Sequence, residues 1–243
     1  KFPSCDASLT SAISGTVKSL ATGLPISGAL VSANSGPTFT LSALSDASVL
    51  VVGAGSVGSY MAEVLARHGV GRLTLVDADI VEPPNLSRTT YRWADLGTPK
   101  VAALAQLLRE LRPDVKVDEV ATTLEALTND ELTALIASQD LIIGATDDVR
   151  THALLNSFAW HEGVPAVYPA IYRAGRAGEI TIAVPRDGGI CWRCTILGAA
   201  ATNTGEMPHD YGTGRNVAVS ALGADIWAIA SIAAKIGWNT SVS

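Results

Sequence analysis

A glycine-rich turn in this sequence has the residue types of a phosphate site. Gly53, Gly55 and Gly58 form G-x-G-x-x-G directly after an apolar run and at the start of a helical pattern. The first two glycines permit a tight turn and close approach of the backbone to phosphate, and the third lets the helix pack on the strand. The helix N-terminus also offers unpaired N–H groups to an anion. Asp77, at the end of the next apolar run, stands where a carboxylate commonly accepts hydrogen bonds from ribose. The pattern predicts nucleotide binding; the alternative is a turn that merely packs.

The connection after Asp77 favours ATP over NAD. Asp79 completes D-A-D, Asn85 and Arg88 lie in P-P-N-L-S-R, and Lys100 follows G-T-P. A triphosphate attacked at its α-phosphorus needs fixed positive charge along the departing pyrophosphate, whereas a dinucleotide carries only a diphosphate. Arg88 can contact phosphate through two hydrogen bonds, and Lys100 can act as a point charge from a helix start. The alternative is that both are ordinary surface cations.

Two carboxylates follow a third apolar run. Asp147 and Asp148 come after LIIGAT, at the carboxyl edge where open α/β sheets bind ligands. Mg²⁺ takes one or two carboxylates together with phosphates and waters. Asp148 suits the N-cap of the helix beginning near Val149, so we assign Asp147 to the metal.

Composition limits the classes of partner. The 243 residues have 48% hydrophobic and 16% charged residues, which suits a sheet buried on both faces or a sizeable subunit interface. The formal net charge of −6 makes nucleic acid an unlikely partner. Three cysteines are too few and too unevenly placed for a disulfide framework, so we expect a reducing cytoplasm. The apolar run Val217–Lys235 contains Asp225 and predicts a buried helix rather than a membrane span.

Apolar strand patterns alternate with helical patterns from Ser48 onward. This alternation predicts an α/β, Rossmann-like, doubly wound and mainly parallel sheet with helices on both faces. An antiparallel extension is expected at Ile171–Val184, and a final helix at Val217–Ile236. The expected strands are Val49–Val52, Leu73–Val76, Val115–Ala121, Leu141–Gly144 and Ala166–Pro169; the expected helices are Val57–Arg67, Lys100–Arg112, Glu131–Ala137 and Val149–His161.

The chain divides by composition into two parts. Residues 1–47 are rich in Ser, Thr, Ala and Gly and show no sustained helical period. We interpret them as an N-terminal extension of uncertain structure, and residues 48–243 as an ATP-binding adenylation domain.

These motifs together resemble the ThiF/MoeB family, which includes the adenylation domains of ubiquitin-activating enzymes. The matching pieces are GAGSVGS, LVDADIVEPPNLSR, G-T-P-K, ATDD with Asn156 beyond it, GEITIAV and C-W-R-C, in order along the chain. The resemblance implies an enzyme, usually a dimer, that adenylates the C-terminal glycine of a ubiquitin-like or sulfur-carrier protein. It implies that Asp77 holds ribose, that Asn85, Arg88 and Lys100 contact the phosphates, and that Asp147 holds Mg²⁺.

The sequence departs from the family pattern in three places. Residues 1–47 contain no arginine, although the family commonly supplies one from an N-terminal helix, often across the dimer. Asp148 stands where the family often has Asn. Cys191 and Cys194 form half a zinc site, and no second C-x-x-C follows. They are interpreted as an incomplete zinc site, with His209 as a third ligand in principle; a redox pair or an acyl acceptor are the alternatives.

The expected substrate is a protein tail, and four alternatives stay open. Tyr172, Arg173 and Arg176 lie beside GEITIAV, where the family threads the substrate's glycine tail; a solvent-facing hairpin is the other reading. Other carboxylates for the same chemistry are a small peptide or a modified nucleoside in tRNA. Outside this chemistry, the chain could be an NAD-dependent oxidoreductase or a catalytically silent binding module.

Overall fold

Six strands form one sheet in the computed structural model, which describes residues 44–172, 177–186, 189–196 and 223–241. The spatial order is β3-β2-β1-β4-β5-β6. All neighbouring pairs are parallel except β5 and β6, which are antiparallel. The strands are β1 (Ser48–Val52), β2 (Arg72–Val76), β3 (Lys116–Val120), β4 (Leu141–Gly144), β5 (Ala166–Tyr172) and β6 (Ala177–Ala183).

The sheet reverses its direction of growth at β1. The chain builds outward from β1 through β2 to β3, and then returns to the other side of β1 for β4. Val51 therefore pairs with Leu75 on one side and with Ile143 on the other. In open α/β sheets such a reversal opens a crevice at the carboxyl ends of the two strands. The loops after β1 and β4 lie at this point.

Helices cover both faces of the sheet. Residues of alternating parity in β1 face opposite sides, so Val49 and Val51 belong to one buried cluster and Leu50 and Val52 to the other. The first cluster includes residues of α1, α2 and α5, and the second includes residues of α3 and α4. The helices are α1 (Ser56–His68), α2 (Lys100–Leu111), α3 (Asn129–Ala137), α4 (Val149–Glu162) and α5 (Gly223–Ser241).

The strand and helix predictions are confirmed, with small shifts at the ends. The antiparallel extension differs most. We expected a separate strand pair within Ile171–Val184, but β5 itself continues to Tyr172 and pairs with β6 over its whole length. One new strand is added rather than two. Residues 173–176, which include Arg173 and Arg176, lie outside the described residues.

The last helix packs on the first. Ala230 and Ala233 of α5 are fully buried, and Trp227 stacks on Tyr60 of α1 with ring centroids 4.8 Å apart. Within the described residues, no helix is long and apolar enough to cross a membrane. Of the expected helix Val217–Ile236, residues 217–222 lie outside the described part.

The connection from β2 to α2 is a folded segment with little regular structure. It contains two 3-10 turns, Pro83–Asn85 and Trp93–Asp95, and a β-bridge between Ile80 and Pro99. The Lys100 backbone N–H donates to the Asp79 carbonyl at 2.9 Å, so the segment closes on itself where α2 begins.

Candidate functional site

The glycine loop after β1 has no room for side chains at two of its three glycines. Gly53 has φ +92°, and a Cβ there would lie 2.6 Å from the Ala145 carbonyl oxygen. A Cβ on Gly58 would lie 1.8 Å from the Gly53 carbonyl oxygen. A Cβ on Gly55 would meet no atom within 4 Å. The loop is thus closed against β4 and open at Gly55, which is the side from which a phosphate could approach.

Asp77 fixes this loop from the end of β2. Its Oδ2 accepts the Ala54 N–H at 2.7 Å, and its Oδ1 accepts the Asp79 N–H at 2.9 Å. The carboxyl is half-buried. Each carboxylate oxygen has a second lone pair, so Asp77 can still accept hydrogen bonds from a ribose.

Lys100 and Asp79 form an ion pair at the start of α2. The Lys100 Nζ lies 2.7 Å from the Asp79 Oδ2, and the exposed fractions of the two side chains are 11% and 71%. A cation at a helix N-terminus is disfavoured by the helix dipole, and a buried cation needs a partner. A buried lysine in this position is therefore poorly explained by stability alone, which supports a binding role.

Arg88 and Asn85 lie on a turn that is tied to α1. The Tyr60 hydroxyl donates to the Thr89 carbonyl, and the Thr90 N–H donates to the Ser59 Oγ, both at 3.4 Å. The Asn85 Oδ1 accepts the Glu82 N–H at 2.8 Å, so this side chain shapes the turn and keeps its NH₂ group for other contacts. The Arg88 side chain is half-buried and has no hydrogen bond or ion pair with other described residues.

Asp147 and Asp148 have different roles. The Asp148 Oδ1 accepts the Arg150 N–H at 2.8 Å and caps α4, as expected. Asp147 is exposed, and its carboxylate has no hydrogen-bond or ion-pair partner among the described residues. It lies two positions after Ala145, the residue against which Gly53 packs. Asp147 is therefore the one of these two carboxylates that has no structural partner among the described residues.

The ThiF family model matches residues 31–235. This chain belongs to the ThiF family. The match begins within residues 1–47, and Leu44 and Ala47 of that segment are buried in the core.

Several named proteins are similar to this ThiF-family chain. The SAMP-activating enzyme E1 of Haloferax volcanii is 38% identical over 167 residues, which are 68% of this chain and 58% of that protein. The molybdopterin-synthase adenylyltransferase of Escherichia coli K12 is 40% identical over 154 residues, 63% of this chain and 59% of that protein. The chain thus spans less than two thirds of the length of these two relatives.

The fold is shared with a solved structure of low sequence identity. Escherichia coli MccB with AMPCPP and selenomethionine MccA superposes with a TM-score of 0.67 at 18% identity, covering 84% of this chain and 58% of that chain. At this identity the likeness shows the fold alone. It agrees with a Rossmann-like sheet.

The cysteine pair lies against α4 in this ThiF-family chain. The two sulfurs of Cys191 and Cys194 are 3.2 Å apart, and the Trp192 N–H donates to the Asn156 Oδ1 at 2.9 Å. Among the described residues, no three His, Cys, Asp or Glu side chains lie together as a metal site. His209 is outside the described part. Two cysteines are fewer than the four ligands of a structural zinc site, so the described residues do not form one.

Sequence reasoning missed Tyr91. This side chain is 5% exposed, and its hydroxyl lies 2.5 Å from the Ala54 carbonyl oxygen and 3.3 Å from the Lys100 carbonyl oxygen. It joins the glycine loop to the start of α2. The sequence signal for Tyr91 is an aromatic residue within a polar connection. This signal does not identify backbone partners that are distant in the sequence.

A cavity of about 370 Å³ lies elsewhere, on the sheet face beside Arg72, Asp118 and Gln139. It contains none of the predicted site residues. The candidate site is therefore defined by the geometry of the glycine loop and by the charged groups around it, and not by this cavity.

Proposed function

We propose that this chain is an ATP-dependent adenylyltransferase. Its substrate would be the C-terminal glycine carboxylate of a ubiquitin-like or sulfur-carrier protein. The observation that carries the proposal is the buried Lys100, held beside Asp79 at a helix start that Tyr91 joins to the glycine loop. Membership of the ThiF family and the names of the relatives support it.

Each predicted residue has a role in this proposal. The N–H groups of Gly55 and Gly58 face the phosphates, and Asp77 accepts hydrogen bonds from the ribose. Gly53 shapes the turn, and its own N–H donates to the Val76 carbonyl at 2.8 Å. Arg88 and Lys100 neutralise the phosphates, and Asn85 adds hydrogen bonds through its NH₂ group. Asp79 holds Lys100 until the nucleotide arrives.

Asp147 is the residue that would hold Mg²⁺. A single exposed carboxylate with no partner among the described residues fits this metal, which takes its other ligands from phosphate and water. Bound there, Mg²⁺ would supply positive charge to the phosphates.

The reaction needs alignment more than acid–base chemistry. The substrate carboxylate is already ionised at neutral pH, so one of its oxygens can attack the α-phosphorus directly. The new bond between this oxygen and the α-phosphorus forms as the bond from the α-phosphorus to the bridging oxygen breaks. Pyrophosphate leaves with the electron pair. Arg88 and Lys100 stabilise the charge that develops on the leaving group.

The edge strand β6 is the place where a protein tail could pair. It ends the sheet order, and its backbone on that side is free of strand partners within the described residues. Peptides recognised by added strands gain main-chain hydrogen bonds at such edges. We further propose that the active form is a homodimer, as in the family, since Trp93 (76% exposed) and Trp227 (45%) leave apolar surface uncovered.

ATP–pyrophosphate exchange tests the proposal. The wild-type chain should exchange labelled pyrophosphate into ATP only when a carrier protein ending in glycine is added. Arg88→Ala should lower the exchange rate by at least about 100-fold, because charge stabilisation on the leaving group is lost. The thermal midpoint should stay within about 2 °C, because the Arg88 side chain has no partner to lose among the described residues.

Arg67→Ala is the matched control for this experiment. Arg67 is an exposed arginine paired with Glu63 on α1, so its removal should leave exchange unchanged. Normal exchange in Arg88→Ala would contradict the phosphate assignment. An NAD-linked absorbance change without pyrophosphate exchange would contradict the proposed function as a whole.

A further inference from the structure

The Tyr91 hydroxyl lies beneath the glycine loop, on its buried side. Its single proton points to the Ala54 carbonyl oxygen, 2.5 Å away, with the Lys100 carbonyl oxygen as a more distant second acceptor at 3.3 Å. Burial raises the pKa of Tyr91, and the nearby carboxylates of Asp77, Asp95 and Asp79 raise it further. The hydroxyl therefore stays protonated and remains a donor at every pH at which the protein is used.

The Ala54 carbonyl shares one peptide unit with the Gly55 N–H. In a trans peptide the C=O and N–H bonds point in opposite directions. A hydroxyl that holds the carbonyl from below thus directs the N–H to the opposite side. No acceptor for this N–H lies among the described residues, and a Cβ on Gly55 would meet no atom within 4 Å, so there is free space beside this residue.

The preceding peptide is held as well. The Ala54 N–H donates to the Asp77 Oδ2 at 2.7 Å, so both polar backbone atoms of Ala54 are bonded to side chains that arrive after β2. Gly55 is also the N-cap of α1, and no side chain caps this helix. Its N–H has no acceptor in the described part of the chain, so it is available to a ligand in an orientation set before the ligand binds.

We infer that Tyr91 is a positioning residue whose hydroxyl aims the Gly55 N–H at a phosphate of the bound nucleotide. The inference rests on the proposed function, since it names the phosphate as the acceptor. Tyr91 itself touches no part of the nucleotide. Tyr91 acts on the phosphate only through the peptide unit between Ala54 and Gly55.

Removing the hydroxyl tests this inference. Tyr91→Phe should bind ATP about tenfold more weakly, because a hydrogen bond to a charged phosphate loses its alignment. Adenosine, which has no phosphate, should bind the variant and the wild-type chain equally. A merely structural role would weaken both ligands together. Calorimetric titration of the full chain with ATP and with adenosine measures the difference.

Tyr168→Phe is the matched control. Tyr168 is buried like Tyr91, but its hydroxyl has no partner among the described residues, so its loss should change neither titration. Equal ATP binding by Tyr91→Phe, or parallel loss of ATP and adenosine, would overturn the inference and leave the proposed function standing. Failure of the wild-type chain to bind ATP would overturn both.

A measurement on the wild-type chain covers the case in which Tyr91→Phe does not fold. In an amide NMR titration, the Gly55 resonance should shift on addition of ATP and stay in place on addition of adenosine. A Gly55 amide that responds to neither ligand, in a chain that binds ATP, would refute the role of this peptide.

Discussion

The three glycines of the loop have three different environments. Gly53 needs a positive φ, Gly58 needs the absence of a Cβ next to a backbone oxygen, and Gly55 has an ordinary φ of −79° with open space beside it. The fold alone requires glycine at the first two positions. In our proposal the need for glycine at Gly55 comes from the phosphate that binds beside it.

This difference predicts opposite behaviour of two alanine variants. Gly58→Ala should lower the thermal midpoint by on the order of 10 °C, because a methyl group would clash with the Gly53 carbonyl and force the backbone to move. Gly55→Ala should keep its midpoint within about 2 °C yet bind ATP more weakly, because the methyl group takes up space on the open side. Thermal unfolding and calorimetric titration check both. Equal midpoints for the two variants would contradict the loop geometry.

Residue types and spacing predicted a group of residues that the structure brings close together. Gly53, Gly58, Asp77, Asp79 and Lys100 lie in contact with the loop or its neighbours, because each stands at the end of a strand or the start of a helix. Tyr91 could not be predicted in the same way. Its acceptor carbonyl is 37 positions away, and backbone carbonyls leave no signature in a sequence.

Helix α4 connects the candidate metal carboxylate to the cysteine turn. Its cap Asp148 follows Asp147 directly, and one turn further on His152 packs edge-on against Tyr168 and Trp192, at centroid distances of 5.2 and 5.3 Å. His152 is 8% exposed and its Nε2 has no partner among the described residues. This histidine is therefore stable in its neutral form.

A pH dependence of stability follows from this burial. Desolvation lowers the pKa of His152 below 6.5, while a backbone contact with Gly144 and the carboxylates of Asp147 and Asp148 oppose the shift. The unfolded chain then binds a proton first as pH falls, so stability decreases from about pH 6.5 downward until the folded histidine also titrates. His152→Phe should reduce the change in thermal midpoint between about pH 7 and pH 5. His161→Gln changes an exposed histidine and should keep the wild-type pH dependence of the thermal midpoint. A wild-type pH dependence in His152→Phe would refute His152 as its origin.

Element types were predictable wherever the hydrophobic period was clear. β1, β2 and β4 are short and mainly apolar, and their neighbours along the chain have helical spacing, so the parallel sheet follows from pattern alone. The boundary between β5 and β6 was not predictable, because Pro169 inside an apolar run suggests a strand end. In the structure β5 runs through Pro169 and pairs with β6 there.

The charge of the whole molecule selects among substrates. A chain with a formal net charge of −6 has no general attraction for polyanions. The local cations Arg88 and Lys100 belong to the nucleotide site in our proposal. A long nucleic acid would therefore be repelled by most of the surface.

Transfer RNA should accordingly have no effect on the reaction. Added tRNA should neither replace the carrier protein in pyrophosphate exchange nor inhibit exchange at about 0.15 M salt, where the surface field extends only about 8 Å. Exchange assays with tRNA in place of, and together with, the carrier give the answer. Stimulation by tRNA alone would favour the modified-nucleoside alternative.

The middle strand of the sheet has a consequence for synthesis of the protein. Ser48 at the start of β1 is bonded to Asp140, 92 positions later, and β1 pairs with β4 along the same line. During translation the whole glycine motif therefore leaves the ribosome well before Ala145 has been made. Ala145 is the residue against which Gly53 packs. Until then the motif is an unsupported turn, so the nucleotide binding that we propose begins only after this later part of the chain has been made.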